Sequence, residues 1–113
     1  MIDKETFRTT YDLFDKEVVC EIIDIYIAEH PDRMKNLAIA VENSDFDALN
    51  KLAHSLKGVI ANFYDDVAYH HAKALEMKGK ERVIEGAAEL LNELKVSSTA
   101  LLEELKEIKK SYV

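Results

Sequence analysis

From Lys16 onward the apolar positions Val19, Ile23, Tyr26, Ile27, Met34, Leu37, Ala38 and Val41 return every three or four residues. This is the repeat of one helical face, and it predicts a helix to about Asn43. Pro31 lies inside it and removes one backbone hydrogen bond, so a kink or break is expected near Glu29 to Pro31. Asn43-Ser44-Asp45 then reads as a turn whose polar side chains can cap a following helix, expected from about Phe46 to Tyr64. Asp65 and Asp66 offer caps for a third helix that ends near Lys78-Gly79-Lys80, with glycine as its stop. The last helix is predicted from about Glu81 to Lys110, with Ile84, Ala87, Leu91, Leu94, Ser98, Leu101, Leu105 and Ile108 forming a seam. Ahead of these four, Asp3 to about Leu13 predicts a short accessory helix capped by Asp3, with Phe7 and Tyr11 on one side.

Four amphipathic helices with short links predict an all-α antiparallel four-helix bundle, a single domain over residues 1–113. The seam of the last helix also suits a homodimeric coiled coil. Three other amphipathic helices need a partner surface, so the bundle and a monomer are favoured, with the overhang of the long helix receiving the N-terminal one. Composition sharpens the picture. Only three Gly and one Pro leave few punctuators for many short strands. A net charge of −7, from 22 acidic against 15 basic residues, argues against nucleic-acid binding and for protein partners. Cys20 is alone, no run is long and apolar enough to span a bilayer, and the N-terminus lacks a leader pattern. A cytoplasmic protein is expected, and the initial Met1 is compatible with a free-standing chain.

The predicted Phe46–Tyr64 helix carries the chemistry. At about 100° per residue, Leu49, Leu52, Ala53, Leu56, Ile60 and Phe63 share one face, whereas His54 falls roughly 140° from Leu49, with Asn50, Gly58 and Ala61. His54 is therefore expected to project to solvent. Lys57 and Gly58 follow by three and four residues and occupy the next turn beside the imidazole. A glycine here costs about 1 kcal/mol relative to alanine, which makes sense if a side chain would obstruct a partner approaching His54. A neutral imidazole is a competent nucleophile toward an acyl phosphate, and the Lys57 cation favours the negative charge it would gain. A metal site is not expected, because His70 and His71 are adjacent and diverge by about 100°, and no Glu-x-x-His pair is present.

The run Leu52-Ala53-His54-Ser55-Leu56-Lys57-Gly58, followed by Val59-Ile60-Ala61-Asn62-Phe63, resembles the motif of histidine phosphotransfer (HPt) domains. The acidic, small-residue loop Asn43-Ser44-Asp45 and the pair Leu75-Glu76 before Gly79 extend the resemblance. It implies a four-helix bundle that is not an enzyme and needs no cofactor of its own. His54 would accept a phosphoryl group from the aspartate of a response-regulator receiver domain and pass it to another, the magnesium belonging to the receiver. A hybrid histidine kinase is the other implied partner. The resemblance further makes Glu76 a candidate partner for His54 Nδ1, leaving Nε2 free. Two positions depart from the family: Tyr64 replaces a second glycine at the helix end, and His71 replaces a leucine, which makes it an interior or boundary residue rather than a second phosphate acceptor. The rival reading is a bundle that binds a receiver or kinase without transferring phosphate.

Overall fold

The structure is a computed structural model that describes residues 1–113. Five helices follow in order: α1 (Lys4–Tyr11), α2 (Lys16–Glu42), α3 (Phe46–Ala61), α4 (Asp66–Glu81) and α5 (Ala87–Lys109). The neighbouring pairs are α2 with α3, α3 with α4, α4 with α5, and α5 with α2, so the four long helices close a ring around one core. Leu37, Leu49, Leu56, Ile60, Leu75, Leu94, Leu101 and Leu105 fill its centre. The expected seam of α5 is thus bundle interior, as Leu94, Ser98, Leu101 and Leu105 are buried.

Several predicted boundaries shift. Instead of breaking at Pro31, α2 continues through it, and Ile23, Tyr26, His30, Met34 and Leu37 keep one buried face across the proline. Pro31 is itself exposed, so the backbone bond it lacks falls where a carbonyl can be solvated. Gly79 is not the stop of α4. The helix runs on to Glu81 and ends at Arg82 in left-handed conformation, its guanidinium lying 5.2 Å from the centre of the Phe46 ring and 3.2 Å from Asp47 Oδ1. Gly79 instead marks the closest approach of α3 and α4: a Cβ there would sit 2.6 Å from Asn50 N and 2.9 Å from Phe46 O. The start of α5 moves from Glu81 to Ala87, because residues 82–86 form a link closed by Gly86 at φ 80°.

The end of α3 is set by a similar left-handed residue. The helix stops at Ala61 rather than Tyr64, and Tyr64 adopts φ 59°. An L-residue there costs about 1–2 kcal/mol, which is why glycine suits such a turn. The N-terminal segment offsets that cost. Asp3 N donates to Tyr64 O at 2.8 Å, Thr10 Oγ1 donates to Tyr64 Oη at 3.0 Å, and Tyr11 Oη donates to Asn62 O at 2.8 Å. Asp65, not Asp66, then caps α4 by accepting from Ala68 N at 3.1 Å. On its other side α1 meets the segment just beyond α5, with the Phe7 and Tyr112 rings 6.2 Å apart.

Candidate functional site

The site lies in the groove between α3 and α4. Asp45 caps α3 by accepting from Ala48 N at 3.1 Å, and Leu49, Ala53, Leu56 and Ile60 anchor one face in the core. The opposite stripe is thereby turned outward, and the His54 side chain is 69% exposed. Glu76 reaches it from the facing helix. Its carboxylate is largely buried, with Oε2 against His54 Nδ1 and Oε1 accepting from Lys57 Nζ at 2.8 Å. One buried carboxylate therefore ties together two residues a helical turn apart on α3.

Charge follows from this contact. Burial pushes the Glu76 carboxyl upward, but the hydrogen bonds from Lys57 and then His54, with their positive fields, outweigh it, and the group lies below the ordinary glutamate range. The Lys57 ammonium is raised, chiefly by its bond to Glu76. An ionised carboxylate has only acceptors, so the His54 proton belongs on Nδ1 in the neutral ring. Nε2, which bonds nothing in the protein, then carries the free lone pair. Beside it, nothing lies within 4 Å of where a Gly58 Cβ would stand, so the bare position opens onto free space.

The structure thus brings together all four residues singled out from sequence: His54, Lys57 and Gly58 on α3, and Glu76 on α4. His71 is half-buried, with Nδ1 2.8 Å from Ser97 Oγ, and exposed His70 donates through Nδ1 to Asp66 O at 2.7 Å. Neither touches His54. Sequence reasoning missed Arg33 on α2, whose Nη1 donates to Ser55 Oγ at 3.2 Å, next to His54, while Nη2 meets Glu29 Oε1 at 3.4 Å. Its Nε is buried without a partner. The Glu29–Arg33 spacing of four was the available signal.

A helical bundle that exposes a histidine beside a lysine and a bare glycine defines a class of protein. The chain matches the Hpt domain family over residues 21–110 and belongs to it. It is a member of a phosphotransfer family of two-component signalling, whose domains carry phosphoryl groups. Among solved structures it is similar to histidine-containing phosphotransfer protein B from Pseudomonas aeruginosa PAO1, with 20% identity, a TM-score of 0.89, and coverage of 99% of this chain and 96% of that one. At that identity the likeness shows the fold. No curated protein sequence matches the chain. No helix is long and apolar enough to cross a membrane.

Proposed function

We propose that this protein is a phosphorelay intermediate: His54 accepts a phosphoryl group from the aspartyl phosphate of one receiver domain and gives it to the aspartate of another. The observation that carries this reading is the Glu76–His54 contact, which leaves Nε2 as the exposed nucleophilic atom of a ring held in one tautomer. In the transfer, the Nε2 lone pair attacks phosphorus, the acyl phosphate P–O bond breaks, and the receiver aspartate leaves as a carboxylate. Nδ1 keeps its proton, shared with Glu76, and that carboxylate offsets the positive charge gained by the ring. Lys57, one helical turn beyond His54 and bonded to Glu76, is proposed to stabilise the added phosphoryl charge. Gly58 leaves room for the receiver to approach, and the receiver supplies the remaining transfer machinery.

The chain is proposed to act as a carrier rather than an enzyme, with receiver domains and a hybrid histidine kinase as partners. Incubation with a phosphorylated receiver tests this. Acid-labile, base-stable phosphate is expected on the wild type and absent from His54→Gln. A wild type that binds the receiver but takes up no label would sink the proposal in favour of a docking module, and label persisting on His54→Gln would move the acceptor elsewhere.

A further inference from the structure

On the opposite side of the ring from His54, α2 and α5 leave a groove of about 500 Å³ whose lining includes His30, Met34, Lys35, Ala38, Leu91 and Lys95. Its walls combine apolar surface from Met34, Ala38 and Leu91 with Lys35 and Lys95, neither of which has an ion-pair partner. Acidic residues outnumber basic ones by 22 to 15 in this chain. Each of four other sizeable grooves carries at least one carboxylate: Asp12 in one, Glu29 and Asp32 in the next, Glu17, Glu21 and Asp24 in the third, and Glu93 in the last. The α2–α5 groove has none.

His30 adds a polar group aimed from the bundle interior. The residue is 8% exposed, and its Nε2 lies 2.9 Å from Ser98 Oγ. Its other ring nitrogen, Nδ1, bonds nothing in the protein and is not sealed in the core. An unoccupied ring nitrogen, two unpaired ammonium groups and an apolar floor within one cavity form a set of contacts complementary to a molecule with an acid head and a short apolar body.

We infer that the α2–α5 groove is a binding site for a small amphiphilic anion, held by Lys35 and Lys95 at its head and by Met34 and Leu91 along its body. The site is separate from the His54 groove and does not depend on phosphotransfer. Burial lowers the His30 pKa, with Lys95 adding to the effect. Lys95 on α5 and Lys35 on its own helix are the charged groups that line the groove with it. An anion seated among them offsets their charge and shifts His30 back toward its protonated form.

Hexanoate is the probe, with acetate and hexanol as its head-only and body-only counterparts. In a two-dimensional NMR titration, hexanoate is expected to shift the amides of His30, Lys35, Leu91 and Lys95 saturably, with a Kd on the order of 1 mM. The His30 ring pKa should rise as the site fills. Acetate and hexanol should each bind at least about tenfold more weakly, and Lys35→Glu/Lys95→Glu should weaken hexanoate by at least about tenfold while the rest of the spectrum stays in place. Absence of saturable shifts at these residues, equal binding by hexanol, or undiminished affinity in a folded double variant would each overturn the inference.

Discussion

The α3–α4 and α2–α5 grooves each contain a histidine bonded through one ring nitrogen, yet they handle it in opposite ways. His54 stands on the outer stripe of α3 and is paired with a carboxylate, whereas His30 sits on the inner stripe of α2 and is paired with a hydroxyl. A carboxylate fixes a tautomer and tolerates added positive charge; a buried hydroxyl leaves the ring favouring neutrality. A histidine's usefulness as a nucleophile is decided by the helix face that presents it and the charge that meets it, more than by residue type.

The largest effect expected within this comparison is structural. Gly79→Ala places a methyl group against the Asn50 and Phe46 backbone of α3 and should cost about 2 kcal/mol in urea unfolding, even after its gain in helix propensity. An unchanged midpoint would mean that the two helices can separate freely. Gly58 provides the control on the same groove, since its surroundings are empty. Gly58→Ala should stabilise the fold by about 0.5–1 kcal/mol, while the longer Gly58→Gln should impair receiver docking or transfer with helical content nearly unchanged. Normal transfer by the glutamine variant would remove the steric role of the bare position.

Glu76→Gln keeps an acceptor for Nδ1 but removes the charge that holds Lys57, and should slow phosphorylation of His54 by about tenfold at unchanged fold. Unaltered rates in rapid-quench transfer assays would make the carboxylate a structural neighbour only. The smallest effect is in the pH dependence of stability. His30 is lowered in the folded state, so on acidification the unfolded chain takes up that proton first, near pH 6.5. Its contribution is fully present above that pH and is lost as pH falls toward the folded value. Glu76 is lowered too, so its contribution is present above the ordinary glutamate value of 4.5 and is lost as pH falls below it. Thermal melts across pH should therefore weaken in two stages, with His30→Gln flattening the upper and Glu76→Gln the lower. A His30→Gln curve parallel to wild type would contradict the assignment of the upper stage.

The repeat of apolar positions by itself determined the helix count, most of the inner faces and the outward placement of His54, although Ala38 of the expected α2 stripe is exposed and Ala40 is buried in its place. Each of these depends on a local period of about 3.6 residues and on the need to bury one stripe. The same logic placed Lys57 and Gly58 beside His54, because residues three and four apart are neighbours on any helix. His30 was legible in part, as it falls four residues from both Tyr26 and Met34 on the buried stripe of α2. Its hydroxyl partner was not, because Ser98 comes from another helix and its azimuth there had to be known.

Tertiary structure alone decided the rest. Glu76 is 22 residues from His54, and only the packing of α4 on α3 brings its carboxylate to both His54 and Lys57. Gly79 reads as a stop signal within its own helix but is an approach point once α3 presses against it. Tyr64 holds a left-handed turn where Asp3 and Thr10, 61 and 54 positions earlier in sequence, bind its carbonyl and hydroxyl. Local sequence sets which way a residue faces; what it meets there depends on chain segments that sequence distance conceals.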